Sequence, residues 1–140
     1  MNKLAATKHE LQQLLSDVAF TRGLGLSVRS IDYGKCVLDV PFQPEFERPG
    51  GIVSGQVYMA AADVAMWLAI KTRLGMKDQS VTTELKTIFL RAAKQEQLVC
   101  SATVLKLGKT LIYGTSDCRN AAGELLTHHT ITYARRPSPS

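Results

Sequence analysis

The stretch Ile52 to Ile70, IVSGQVYMAAADVAMWLAI, constrains the fold more than any other part of the chain. Between Arg48 and Lys71 it carries one formal charge, Asp63. The residues around that carboxylate are small or apolar: Ala60, Ala61 and Ala62 before it, Val64, Ala65, Met66 and Trp67 after. Alanine, leucine and methionine favour helix, and the pattern predicts one long helix from Ser54 or Gly55 through Leu74. Apolar residues fall on nearly every side of it, which marks a helix buried within a domain. Its length suits a membrane span, but Asp63 sits at the middle, Gln56 is polar, and no second span shelters the charge, so no membrane partner is expected. A buried carboxylate costs several kcal/mol unless paired or neutralised. Asp63 is therefore either a structural residue answered by an Arg or Lys from a neighbouring strand, or a catalytic carboxylate.

The remaining bulk properties narrow the choices. A chain of 140 residues reads as one domain, residues 1–140. That length buries about two-thirds of the unfolded surface. The net charge of +5 and pI near 9.3 suit an anionic partner. The Lys and Arg are nevertheless scattered, with no run beyond Arg135-Arg136. That argues against a dedicated nucleic-acid patch and leaves a phosphate-bearing small ligand or no special partner. Cys36, Cys100 and Cys118 are odd in number and widely spaced, which predicts reduced thiols and a cytoplasmic location. MNKLAATKHE has no signal-peptide apolar region.

Residues 1–24 hold an N-terminal helix. Thr7 to Glu10 fits a capping box, Leu11, Leu14, Leu15 and Val18 recur at helical spacing, and Gly23 is the expected C-cap. From Leu26 the period becomes two, predicting strands from Leu26 to Tyr33 and Lys35 to Val40, joined at Gly34. PFQPEFERPGG, Pro41 to Gly51, reads as a loop. It runs straight into the long helix, so free backbone N–H groups at the positive end of the helix dipole could receive an anion or oxyanion. An ordinary loop-to-helix junction looks the same in sequence. Four strands follow: Ser80 to Leu90, Leu98 to Leu107, Thr110 to Arg119 and Leu125 to Ala134. Their short connections predict an antiparallel meander. In the first of the four, Val81, Thr83, Leu85, Thr87 and Phe89 are expected on one face. Residues 135–140, RRPSPS, read as a disordered tail. The class is α+β: a six-stranded antiparallel sheet wrapped around one long central helix. The side of that helix left open calls for a second copy of the chain.

Several catalytic signatures are missing. Gly51-Ile-Val-Ser54-Gly places its serine one residue late for a nucleophile elbow, and Gly23-Leu-Gly25 lacks a third glycine and a preceding strand. Adjacent His128 and His129 point to opposite sheet faces and form no metal pair by themselves. His9 lies on a surface helix. The concentrated chemistry is Asp63 plus the glycine-rich start of its helix.

The segment Ser54-Gly-Gln-Val-Tyr-Met-Ala-Ala-Ala-Asp63-Val-Ala resembles the hotdog-fold acyl-CoA thioesterases, in their phenylacetate-pathway (PaaI-like) branch. That branch reads H-G-G, an apolar run, then L-A-D or L-A-E. Val81-Thr-Thr-Glu-Leu-Lys-Thr-Ile-Phe-Leu-Arg91-Ala-Ala-Lys94 is similar to its next strand segment, and Val104-Leu-Lys-Leu-Gly-Lys109 to the hairpin that follows. The likeness runs from about residue 20 to 134, and the element order is the hotdog order.

The resemblance implies roles. Asp63 matches the catalytic carboxylate, acting as general base on water or as nucleophile on the thioester. Gly55 matches the glycine whose N–H polarises the thioester oxygen, and Thr82 a Ser/Thr that helps hold the attacking water. These groups come from two subunits in the family, implying a homodimer with active sites at its interface and an expected pairing of dimers. Tyr58, Met59, Met66 and Trp67 are acyl-pocket candidates that could equally be core. Arg91, Lys106 and Lys109 are candidates for coenzyme A phosphates. Three residues depart from the pattern: Ser54 stands for the family's His, Gln56 for its second glycine, and Arg48 for its Asn or Gln. All three fall on the oxyanion and leaving-group side. The expected activity is hydrolysis of a coenzyme A thioester to free acid and thiol, with no cofactor beyond the coenzyme A of the substrate. The alternative is a non-catalytic hotdog protein that binds acyl-CoA as a sensor or accessory module. A hydratase would want a His paired with an acid near the helix, and none is suggested.

Overall fold

The computed structural model describes residues 2–136; the expected disorder of residues 137–140 lies outside the described residues. The chain opens with helix α1, Lys8–Asp17. Its capping box forms as expected. The Thr7 hydroxyl accepts from the Glu10 N–H at 3.1 Å, and the Glu10 carboxylate accepts from the Thr7 N–H at 2.9 Å. Leu11 and Leu15 are buried beneath it. The chain bends at Val18 and resumes as α2, Ala19–Leu24. Buried Thr21 holds the bend, donating to the carbonyls of Leu15 (2.8 Å) and Val18 (3.1 Å). The helical segment ends at Gly25, not Gly23, because Gly25 takes the left-handed conformation at φ +68°.

Strands β1 (Ser27–Asp32) and β2 (Lys35–Val40) form the expected hairpin around Gly34. The stretch 41–51 is more ordered than a loop. Pro44–Phe46 makes a turn of 3-10 helix, and β3 (Glu47–Arg48) pairs with β4 (Ile52–Val53). Phe46 is buried, and its carbonyl accepts from the Ser54 N–H at 2.7 Å. The Val53 N–H donates to the Ala93 carbonyl at 2.8 Å. These bonds fix where the long helix begins. That helix is α3, Gly55–Leu74, with the bounds its composition predicts.

Strands β5 (Val81–Phe89), β6 (Leu98–Leu107), β7 (Leu111–Asn120) and β8 (Leu125–Ala134) complete a six-stranded antiparallel sheet, ordered β1-β2-β6-β7-β8-β5. Its inner face wraps α3. Contact is closest at Gly114 of β7. A Cβ there would lie 2.4 Å from the Met66 methyl carbon and 2.4 Å from the Thr103 carbonyl oxygen. One register lower, the Ser116 hydroxyl donates to the Ala62 carbonyl at 3.0 Å. At the far end, Lys71 is 3% exposed. Its ammonium donates to the carbonyls of Met76 (3.2 Å) and Asp78 (2.9 Å), and burial lowers its pKa. The less buried positions Gln56, Met59, Ala60, Asp63 and Trp67 line up along one stripe of α3. The sheet does not cover that stripe.

Two expectations are corrected by the sheet. The register of β5 against β8 shifts between Thr82 and Glu84. This bulge turns Thr82, rather than Val81 and Thr83, to the helix side with Leu85, Thr87 and Phe89, whose partners Ile131, His129 and Thr127 are buried. Arg135 is also no part of a loose tail. Its N–H donates to the Thr110 carbonyl at 2.8 Å and its guanidinium to the Gly108 carbonyl at 3.1 Å. Among the described residues no helix is long and apolar enough to cross a membrane.

The approach at Gly114 makes a stability prediction. Gly114→Ala should lower the unfolding free energy by about 3 kcal/mol, because a backbone carbonyl cannot step aside as a side chain can. Urea denaturation measures it.

Candidate active site

Asp63 lies on the uncovered stripe of α3, eight residues into the helix. Its partners are two neutral hydroxyls. Thr82 on β5 donates to Oδ1 at 2.8 Å and lies 3.1 Å from Oδ2. Tyr133 on β8 donates to the same Oδ1 at 2.8 Å and lies 3.0 Å from the Asp63 carbonyl oxygen. Thr82 and Tyr133 are direct cross-strand partners, so one register of the sheet delivers both. Among the described residues no cation pairs with Asp63. The Arg or Lys that the structural alternative calls for is not found beside Asp63 among the described residues of the chain. Burial, reinforced by the charge on Asp63, pushes the Tyr133 phenol far above its ordinary pKa, so it stays protonated and donating. Tyr133 escaped the sequence reading. Its alternation with Ile131 and His129 put it on the inner face, but only the bulge in β5 sets it opposite Thr82.

The other feature is the N-terminus of α3. Ser54 is the N-cap but makes no side-chain cap; its hydroxyl bonds to Gln56 Oε1 instead. The Gly55 N–H has no acceptor among the described residues. It opens on a cleft of about 400 Å³ whose walls include Arg48, Ile52, Tyr58, Phe89 and Leu90. The Phe89 ring stands over Gly55, 3.1 Å from where a Cβ would be. It meets the Tyr58 ring edge-to-face, with centroids 6.2 Å apart. Tyr58 is itself fixed, its hydroxyl accepting from the buried Ala93 N–H at 3.2 Å. Gly55 and Asp63 lie on one helix, and eight residues at 1.5 Å each separate them by about 12 Å. A single subunit cannot bring both to one carbonyl.

The remaining candidates divide. Met59 and Trp67 flank Asp63 on the open stripe, whereas Met66 is 1% exposed and sealed against Gly114, which makes it core. The Lys71 ammonium lies 5.3 Å from the Trp67 ring centroid. Arg91 lines the cleft but is held at 2.6 Å by Glu124. Lys106 and Lys109 are exposed at the β6–β7 hairpin, beyond the register of Thr82 and Tyr133, and do not line the cleft. His128 and His129 do face opposite ways. His129 is buried between the hydroxyls of Thr87 (2.8 Å) and Thr127 (2.7 Å), while His128 meets Asp117 at 2.5 Å outside. Cys100 and Cys118 are buried with sulfurs 2.7 Å apart, and burial pushes the Cys36 thiol up to about 12. These groups lie away from Asp63. No cluster of three metal-ligating side chains occurs among the described residues.

A six-stranded antiparallel sheet wrapped around one long central helix is the α+β hotdog architecture. The profile of the Thioesterase superfamily matches residues 50–127, and the chain belongs to that family. A candidate esterase of Saccharolobus solfataricus is 33% identical over 102 residues, covering 73% of this chain and 72% of its own. The structure of zebra fish thioesterase superfamily member 2 superposes with a TM-score of 0.84 at 27% identity, over 92% of this chain and 98% of that one. A mutant of the phenylacetic acid degradation protein PaaI from Thermus thermophilus shares the fold, with a TM-score of 0.77 at 22% identity over 85% of this chain and 100% of its own. The family and these relatives support an ester or thioester hydrolase.

Tyr58→Phe tests the cleft wall. It strands the buried Ala93 N–H and should cost about 1–2 kcal/mol of stability, measured as a lower urea midpoint.

Proposed function

We propose that the protein is an acyl-CoA thioesterase working as a homodimer, in which Asp63 of one subunit and Gly55 of the other act on one thioester. The observation that carries this reading is the setting of Asp63. It is a carboxylate on the uncovered stripe of an otherwise buried helix, held by two hydroxyls and paired with no cation among the described residues. The two neutral donors orient it without tying it into an ion pair.

Asp63 takes a proton from water as the water oxygen bonds to the thioester carbonyl carbon. The C–S bond then breaks, and the proton passes to the departing thiolate, giving free acid and coenzyme A. In the other available order Asp63 itself bonds to that carbon, the thiolate leaves, and water cleaves the mixed anhydride. In either order a Gly55 N–H aimed at the oxyanion supplies about 3–4 kcal/mol of transition-state stabilisation. The separation of roughly 12 Å along α3 requires that this donor come from a second copy. Met59 and Trp67 on the stripe, with Phe89 exposed on the helix side of the edge strand β5, supply an apolar face for it. Tyr58, Met59 and Trp67 bound the acyl group. Ser54 and Gln56 flank the oxyanion donor, and Arg48 and Arg91 on the cleft wall meet the phosphates of coenzyme A. Two such dimers pair in the assembly.

Thiol release from a panel of acyl-CoAs tests the reading. Asp63→Asn should lower kcat by roughly 100- to 10,000-fold. Tight binding without turnover by the wild type would mark a binding module instead.

Co-expression tests the shared site. Asp63→Asn and Gly55→Pro, which removes the donor N–H, should each be nearly inactive alone. Their mixture should regain roughly a quarter of wild-type activity, since half the dimers are mixed and each carries one intact site. No recovery in verified mixed dimers would place Asp63 and Gly55 in independent roles.

A further inference from the structure

The two oxygens of the Asp63 carboxylate are not equivalent. Oδ1 accepts from Tyr133 at 2.8 Å and from Thr82 at 2.8 Å, which fills its two lone-pair directions. Oδ2 has only the longer approach of the same Thr82 hydroxyl, at 3.1 Å. Tyr133 is 3% exposed, and its phenol oxygen also lies 3.0 Å from the Asp63 carbonyl oxygen. Its single proton goes to Oδ1, the nearer acceptor, and ties the side chain of Asp63 to β8.

We propose that Tyr133 is a positioning residue for the hydrolysis: with Thr82 it saturates Oδ1 and leaves Oδ2 as the reacting oxygen of Asp63. This rests on the reading of Asp63 as the catalytic carboxylate. With water as nucleophile, Oδ2 takes the water proton while the water oxygen bonds to the carbonyl carbon. The C–S bond then breaks, and Oδ2 returns the proton to the thiolate. With Asp63 as nucleophile, the new bond runs from Oδ2 to the carbonyl carbon as the thiolate leaves, and water reopens it. Oδ1 keeps both hydrogen bonds throughout either course. Because the donors hold no formal charge, they fix the carboxylate without forming an ion pair that the reaction would have to break. Tyr133 can play this part because burial keeps its phenol protonated.

A tyrosine that merely packs would give the same fall in activity when removed, so the test needs a readout of the carboxylate itself. A donor to the charged form favours that form; losing it moves protonation to higher pH. The other titratable group the structure sets against this pair is Asp78, after α3, whose charge bears on Tyr133. It is unchanged in every variant. Lys71 donates only to carbonyls. With the intact protein and a good acyl-CoA, Tyr133→Phe should lower kcat about tenfold with KM within roughly twofold. The acid limb of kcat/KM should rise by roughly half to one pH unit. Site-specific 3,5-difluorotyrosine at position 133 keeps the packing and strengthens the donor, so the limb should move to lower pH. An acid limb unmoved in both variants, or a loss appearing as raised KM and a lower unfolding midpoint, would overturn the positioning role. Full turnover by Asp63→Asn would instead overturn the catalytic reading of Asp63, a separate result from the same plate.

Discussion

The close approach of α3 to β7 at Gly114 governs the rest of the structure. With no Cβ at that position, the Met66 side chain can lie directly on the backbone of the sheet. The helix consequently sits deep enough for Val57, Ala61, Val64, Ala65 and Leu68 to be buried. Small residues on the helix serve the same end, since Ala61, Ala62, Ala65 and Ala69 let the strands curl around it. Close packing of this kind holds the helix axis in place. A fixed axis is what allows a half-buried carboxylate to meet hydroxyls from two strands at hydrogen-bonding distance.

Chemistry is then divided by the rigidity of that helix. Its free N-terminal donor and its carboxylate are held apart by two turns that cannot be compressed. Each end acquires its own surroundings. Gly55 faces a cleft with the Tyr58 and Phe89 rings and two arginines among its walls, while Asp63 faces polar groups from β5 and β8. The side that the sheet leaves bare joins these two environments, and on the proposed reading a second subunit closes it.

Much of the scaffold was legible because its determinants are local. The apolar run fixes α3, the Thr7 and Glu10 pair fixes the start of α1, and Gly34 fixes the first hairpin. Asp63 stood out as a lone charge among alanines, and the family resemblance pointed to Gly55 and Thr82. What stayed hidden depends on non-local pairing. Tyr133 becomes a partner of Asp63 only through strand register, and the Glu124 that holds Arg91 lies in a turn far along the chain. Helical phase could have sorted the methionines, since Met59, Asp63 and Trp67 recur every four residues while Met66 is three past Asp63, toward the sheet. The glycine that ends α2 depended on a bend made by Thr21, a contact that spacing does not reveal.

The bulge in β5 carries a consequence for how this strand can vary. By adding one residue between Thr82 and Glu84, it breaks the strand into two segments of opposite parity. Residues before it answer to the carboxylate, and residues after it answer to the core and the cleft. Substitutions on one side therefore need no compensating change on the other. The strand uncouples the hydroxyl that meets the Asp63 carboxylate from the ring that walls the cleft, and Phe89 can change without disturbing Thr82.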